Sequence, residues 1–354
     1  MNERVIYVLH EYGSDNHYNG LVALGKQRGF SVVFREFRIF HLIGSGLEHR
    51  NFHRIMKQFV NFVFLVGLIF TKRKRVVLGM HPFDWRLIVL NFILRNHIVY
   101  YHTSFTMWNP NDSEKYAGIS SNRISRIRRF ICQKVEHVFA VTERAKKSLL
   151  SQISCPENKI SVVFHSYKVK LQEGNFPDRN QFIYVGRMDW DKGIVEICEY
   201  FERHPELIVT LIGNGDNVSY VREMSKKCSN VKYVEFVKGA DKLRPFYNNA
   251  AYFILNSKKT NEWEELFGQV LIESMACGCV PVAVNHSGPK EIVKNGENGI
   301  LFDEDDFVNT MNRVCLIGED EYKILRHGSI LRGRDFYCEK IANRWKPVLG
   351  VSHA

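Results

Sequence analysis

The chain has 354 residues, 45% of them hydrophobic and 25% charged, a balance that suits folded globular domains and excludes disordered, fibrous and low-complexity classes. That length exceeds what one ordinary core supports, so two domains are expected. The net charge of +11 calls for an anionic partner, which leaves nucleic acid, an acidic membrane surface and a phosphorylated substrate as candidates.

The opening run MNERVIYVLHEYG is too short, and too soon interrupted by His10 and Glu11, to serve as a secretory signal, so a cytoplasmic protein is expected. A strand over Val5–His10, a helical pattern over Gly20–Arg28 stopped by Gly29, and a strand over Ser31–Phe37 make a strand-helix-strand start, typical of a parallel sheet covered on both faces. The alternation continues through a helical region from Glu48 to Phe70, a strand at Val76–Gly79, a helix at Asp84–Arg95 and a strand at His97–His102. Helix Ser121–Lys134, strand His137–Val141, helix Thr142–Leu150 with Thr142 as its expected start, and strand Ile160–Phe164 complete a first α/β domain, residues 1–168. Within it the apolar run Phe59–Phe70 has 12 residues, short of the roughly 20 that cross a bilayer. Lys72, Arg73, Lys74 and Arg75 follow that run, and Arg123, Arg126, Arg128 and Arg129 cluster on a helix of the same half. The run therefore reads either as a core helix or as an interfacial one with a basic flank, and an anionic membrane surface is one partner to consider.

Residues 169–180 turn polar, carry Gly174 and Pro177, and read as a linker. A second α/β series over residues 181–334 then runs strand Phe182–Val185, helix Ile194–Arg203, strand Ile208–Ile212, helix Val218–Lys227 and strand Val231–Val234. Helix Leu243–Ala250, strand Tyr252–Leu255, a helix starting near Gly268, strands Val280–Val284 and Gly299–Phe302, and helices Phe307–Ile317 and Glu321–Arg332 follow. Residues 335–354 hold a terminal helix, Asp335–Val348. Two such domains in series place the carboxyl ends of both sheets at a shared cleft. The eight cysteines are scattered without a CxxC pair and read as reduced core residues, with no disulfide and no zinc site.

The chemistry concentrates in Asn261–Val282, NEWEELFGQVLIESMACGCVPV. Glu265 stands just before Phe267-Gly268, and Glu273 comes eight positions later inside an apolar segment spaced for a buried helix. The first amides of that helix, around Gly268, Gln269 and Val270, have no partner within it and make an anion site. Glu265 beside that site and Glu273 two turns along it can accept hydrogen bonds from two sets of hydroxyls on one elongated ligand whose middle is anionic. A nucleotide sugar is such a ligand. Upstream, Arg187 and Lys192 stand five positions apart in GRMDWDKG at a strand end, where a planar fork and a point charge can meet one diphosphate. Asp189-Trp190-Asp191 is a DxD string, but Asp191 is more simply a cap for the following helix, and with Arg187 and Lys192 neutralising the phosphates no metal is expected.

Glu265, seven residues, then Glu273, with Phe267-Gly268 after the first and the small-residue run Ser274 to Gly278 after the second, resembles the mark of the family 4 retaining glycosyltransferases. Gly186-Arg187 and Lys192-Gly193 resemble that family's phosphate loop. The resemblance is specific over Phe182 to Phe302 and thin in the first domain. It implies two Rossmann-like α/β domains facing a cleft, the architecture called GT-B, often with a last helix crossing back to the first domain. By it Arg187 and Lys192 hold the donor diphosphate, Glu265 orients the transferred sugar, and Glu273 holds the ribose. Phe267, Gly268, Gln269 and Val270 border the donor, while Gly213, Gly215 and the backbone at Val237 lie near the base. His102 reaches the transferred sugar. On the acceptor side stand Gly13, Asn16, His17 and His81, in a loop where EYGSDNHYNG lacks the family's usual glycine pair. The link from Asn256 to Trp263 is longer than usual, which makes Glu264 a competitor of Glu265, though spacing favours Glu265.

The expected activity is retaining transfer of a sugar from a nucleoside-diphosphate sugar to a hydroxyl of a glycan or lipid-linked acceptor, in bacterial surface-polysaccharide assembly. It needs no cofactor beyond the nucleotide-sugar co-substrate and no nucleic-acid partner, and the enzyme is cytoplasmic, peripheral on the inner face of the membrane. A nucleotide-sugar epimerase or a glycosyl phosphorylase of the same architecture competes with it, as does a basic module for RNA or membranes, although no RNA-binding fingerprint is present.

Overall fold

The computed structural model describes residues 4–109, 118–260 and 264–350. The chain divides into two compact units, Met1–Ser166 with Cys338–Ala354, and Tyr167–Tyr337. The first unit runs β1 (Val5–His10), α1 (Asn19–Arg28), β2 (Ser31–Glu36), α2 (Ile39–Glu48), α3 (Phe52–Phe70), β3 (Arg75–Gly79) and α4 (Arg86–Ile93). It continues with β4 (Ile98–Thr103), α5 (Ser121–Arg129), β5 (Val135–Ala140), α6 (Glu143–Gln152) and β6 (Ile160–Val162). All six strands are parallel, in the order β2-β1-β3-β4-β5-β6. The order turns back between β1 and β3. Right-handed crossovers then put α1 on one face of the sheet and α3 to α6 on the other. Val76, Val77, Leu78, Val99 and Tyr101 are fully buried, as expected for strands covered on both sides.

The second unit contains β7 (Gln181–Val185), α7 (Ile194–Arg203), β8 (Ile208–Ile212), α8 (Val218–Lys227), β9 (Val231–Val234), α9 (Ala240–Asn248) and β10 (Tyr252–Leu255). Then come α10 (Gln269–Ala276), β11 (Val280–Val284), α11 (Pro289–Ile292), β12 (Ile300–Phe302), α12 (Phe307–Cys315) and α13 (Glu319–Arg334). Its sheet, also all parallel, has the order β12-β11-β10-β7-β8-β9, with the switch between β7 and β10. Such switch points open a crevice beyond the carboxyl ends of the two strands. After α13, α14 (Cys338–Ala342) and a 3-10 segment, Asn343–Leu349, rejoin the first unit. There Trp345 is buried with its ring 4.5 Å from Phe139, 5.3 Å from His102 and 5.9 Å from Tyr18.

Three expectations change, and one further helix, α2, is present. The stretch from Glu48 to Phe70 is not continuous: Arg50 has φ 49°, and Asn51 accepts from the Arg54 amide at 3.0 Å, so α3 starts afresh at Phe52. Ahead of it α2 forms although Gly44, Ser45 and Gly46 dilute its helical signal. The helix expected over Ser121–Lys134 ends as α-helix at Arg129 and finishes as a π turn, Phe130–Lys134. The terminal helix is a five-residue α14 followed by the tighter 3-10 segment that carries Pro347. Asn261, Glu262 and Trp263, at the head of the central stretch, lie outside the described residues.

Candidate active site

In the second unit the loops after β7 and β10 meet at the switch point. The Lys192 ammonium donates to Glu265 Oε2 at 3.1 Å, and the Ser257 hydroxyl approaches the same oxygen at 3.4 Å. Both ion-pair side chains are mostly shielded, 12% and 17% exposed, so their attraction is screened less than that of a surface pair. The loops are locked together behind the pair. Asn256 donates to Glu196 at 2.8 Å and to the Gly193 carbonyl at 3.4 Å, and the Lys258 amide donates to the Asp191 carbonyl at 2.7 Å.

Arg187 sits nearby on the exposed rim, its guanidinium paired with Asp189 and, at 3.3 Å, with Asp191. Asp191 therefore does not cap α7. That helix follows Gly193, in left-handed conformation, with no side-chain cap, and the Asp191 carboxylate turns back to Arg187 instead. Asp189 also accepts from the Asp216 amide at 2.9 Å, tying the turn after β8 to the turn after β7. In that turn a Cβ at Gly213, whose φ is 152°, would stand 1.8 Å from the Gly186 carbonyl oxygen, and one at Gly215 would stand 2.3 Å from Asp189 Oδ1. Both glycines are thus where two backbones touch.

Glu264 and Glu265 part ways. Glu264 is buried with the Ser287 hydroxyl 2.8 Å from both its oxygens, holding the loop to the turn after β11. Glu265 instead faces Lys192. Its amide donates to His286 Nδ1 at 3.4 Å, and His286 Nε2, 2.7 Å from Glu304, completes a relay in which Nδ1 accepts and Nε2 donates. Phe267 is buried with its ring 5.9 Å from Phe336. Gly268, at φ 91°, turns the chain into α10 with no side chain capping the first amides, so those at Gly268, Gln269 and Val270 remain to receive an anion. Gln269 Oε1 is buried without a partner among the described residues, while Gln269 Nε2 donates to Glu273 at 3.2 Å. Burial pushes the Glu273 carboxyl up to about 7, against the smaller opposite pull of the Gln269 hydrogen bond.

The fold brings Arg187, Lys192, Glu265, Gly213 and Gly215 to one loop cluster, with Glu273 joined to it through α10. Val237, half-buried between β9 and α9 beside the exposed Phe236, has no contact to that cluster among those described. Ser257, His286 and Glu304 carry no motif. Ser257 and His286 do fall just past the carboxyl ends of β10 and β11, where such sites form.

In the first unit His102, at the end of β4, is buried within 4.8 Å of Tyr18 and 5.8 Å of His165 by ring centres, and its Nε2 lacks a partner among the described residues. Burial first, then the neighbouring His17 and His10, holds its ring neutral far below the usual histidine range. His17 stacks on His165 at 4.3 Å. Asn16 is exposed, and Gly13, at φ 90°, leaves room for Glu36 Oε1 at 3.0 Å from a would-be Cβ. His81 is occupied locally: its Nδ1 accepts from the Phe83 amide at 3.2 Å and its own amide donates to Glu11 at 3.0 Å. His10, the last residue of β1, and His165, past the end of β6, join this cluster without having been singled out by any motif.

Residues 168–326 match the family model described as Glycosyl transferases group 1. Among curated proteins, the chain is 28% identical over 185 residues to the uncharacterized glycosyltransferase MJ1607 of Methanocaldococcus jannaschii, covering 46% of each chain. It is 26% identical over 211 residues to the capsular polysaccharide biosynthesis glycosyltransferase CapM of Staphylococcus aureus, covering 52% of each. These alignments thus span about half the length of the curated relatives. Among solved structures, Anabaena Alr3699/HepE in complex with UDP-glucose superposes with a TM-score of 0.67 at 16% identity, over 98% of this chain and 99% of that one. The two six-stranded parallel sheets with their helices are the GT-B fold.

Proposed function

We propose that the chain is a retaining glycosyltransferase that moves a sugar from a nucleoside-diphosphate sugar to a hydroxyl of a glycan or lipid-linked saccharide. The observation that carries the reading is the shielded Lys192–Glu265 pair at the β7/β10 switch point, beside the uncapped start of α10. Charge grows on the departing diphosphate as the glycosidic bond breaks. Lys192, Arg187 and the amides at Gly268 and Gln269 are fixed donors for that charge, held in place before the reaction starts. Arg187 exchanges Asp189 and Asp191 for phosphate oxygens when the donor arrives. Glu265, positioned by Lys192, Ser257 and the His286 relay, accepts hydroxyls of the transferred sugar. Glu273 accepts the ribose hydroxyls in its ionised form.

Retention rests on the Glu-x7-Glu string, and the assignment to surface-polysaccharide assembly on the likeness to CapM. HepE is described with UDP-glucose, which makes UDP-sugars the first donors to test. With Arg187 and Lys192 both within the site to neutralise the diphosphate, we infer metal-independent transfer, and we place the enzyme in the cytoplasm, peripheral on the inner leaflet.

The test is release of nucleoside diphosphate from a panel of nucleotide sugars with saccharide acceptors, read with and without EDTA, and with the product anomer assigned by NMR. Lys192→Ala, Glu265→Ala and Arg187→Ala should each lower kcat by about 100-fold while the protein stays folded. Wild-type rates in all three remove the assignment. Appearance of the epimeric sugar without acceptor would make the chain an epimerase.

A further inference from the structure

The geometry points to a membrane-docking face on the first unit, built from α3 and α4 and fitted to a bilayer rich in anionic phospholipid. It deepens the peripheral placement given above and rests on that reading for its purpose.

Helix α3 leaves most of its apolar residues facing outward, although Leu68 and, in part, Phe64 and Leu65 pack inward on the core. Its buried positions include Gln58 and Asn61, whose amides turn inward to the buried Glu36 carboxylate at 2.6 and 3.4 Å. Its apolar stripe, Phe52, Met56, Phe59, Val63, Val66 and Phe70, recurs every three or four residues and faces outward, with Phe52 72%, Phe59 60% and Phe70 81% exposed. Beside it on the same side of the sheet α4 exposes Ile88, Val89 and Phe92, and Trp85 just before it is exposed too. So much exposed apolar surface on two neighbouring helices marks a partner.

Charge selects the partner. No Asp or Glu occurs from His49 to Phe83, while Arg50, Arg54 and the run Lys72 to Arg75 do, Lys57 being paired with Glu36 at 2.7 Å. Flanking α4, a groove of about 480 Å³ has Ile127 and Phe130 on its floor and Arg126, Arg129 and Lys134 on its rim. A second copy would bring one cationic rim against another. An anionic leaflet offers acyl chains to the stripe and phosphates to the rim.

The helix lies in the surface plane and does not cross it. Its 19 residues reach about 28 Å, close to a bilayer core. However, α3 links β2 and β3, which both pair with β1 in one sheet, and its polar side is fastened to Glu36 at the end of β2.

The experiment is co-sedimentation with vesicles of phosphatidylcholine alone or with 30% phosphatidylglycerol, in low and high salt, with Trp85 as an intrinsic reporter. We expect wild-type protein to pellet with the anionic vesicles, with a blue shift in emission that Trp85→Phe removes, and to leave them as salt rises. Phe59→Ser/Phe70→Ser and Arg126→Glu/Arg129→Glu should each weaken binding at least tenfold with unchanged circular dichroism and unchanged transfer to a soluble acceptor. Binding indifferent to vesicle charge or to these variants overturns the proposal. So does concentration-dependent dimerisation, or RNA binding, lost in Phe59→Ser/Phe70→Ser without any vesicle binding. Vesicle binding needs no donor, so an inactive protein that still docks removes the transferase and keeps the face, and the reverse result does the opposite.

Discussion

Glu273 is asked to do two incompatible things, to sit in an apolar interior and to present a charge to a ligand. With its carboxyl raised from 4.5 to about 7, the folded state holds a proton the unfolded chain has released, so stability falls as pH rises from about 4.5 to 7 and stays reduced above it. The size is on the order of 3 kcal/mol at pH 8 and under about 1 kcal/mol at pH 5. Glu273→Gln keeps the shape and the Gln269 contact and removes the charge. It should melt higher than wild type at pH 8, match it near pH 5, and bind donor at least tenfold more weakly at either pH. A variant melting no higher at pH 8 would show that burial does not oppose the charge. This pairing of instability with binding is the usual cost of a ligand-ready carboxylate. Glu265 and Lys192 were legible as spacing in the sequence because each belongs to a string of fixed offsets. Ser257 and His286 were not, since Ser257 meets Glu265 only when the long loop after β10 folds on itself, and His286 only when that loop converges with the one after β11.

At the scale of elements, the strands of the second unit were readable almost to the residue. Ile208–Ile212, Val231–Val234, Tyr252–Leu255 and Val280–Val284 are short apolar runs bounded by turns, and parallel strands buried on both sides leave little else to read. The helices α2 and α11 leave little signal in the sequence, one diluted by Gly44 and Gly46, the other only four residues long. The orientation of α3 stays open in the sequence, which allows both a core and an interfacial helix, because only Glu36, distant in sequence, reveals that Gln58 and Asn61 turn inward. The turn after β8 offers a sharp test. The Gly213 backbone lies so close to the Gly186 carbonyl that a methyl group has no room, and its φ of 152° disfavours any side chain. Gly213→Ala should destabilise the second unit by roughly 2–4 kcal/mol in denaturant titration and weaken donor binding, since the Arg187 loop moves with that turn. A change below about 0.5 kcal/mol would mean that the two turns are not packed as described.

At the scale of the whole molecule, the two units carry opposite responses to acid. In the first, His10, His17, His102 and His165 are held neutral mainly by burial, with Asp15 and Glu36 only partly offsetting it, and His10 is lowered to about 4. A histidine with a depressed folded value is protonated in the unfolded chain first, so stability is intact above pH 6.5 and drains away as pH falls from 6.5 towards 4. For His10 alone the loss at pH 5 is about 2 kcal/mol. In the second unit Glu273 moves the other way, gaining stability over much of the same interval. Lowering the pH from 7.5 to 5 should therefore accelerate hydrogen exchange in β1 and β4 relative to β7 and β10, read by mass spectrometry on peptides from each sheet. His10→Asn should recover part of the difference at pH 5 and change little at pH 7.5. Faster exchange in β7 and β10, or no separation of the sheets, would mean that the four rings take up protons in the folded state, and that the cluster around His102 is wetter than its packing against Tyr18 and Trp345 indicates.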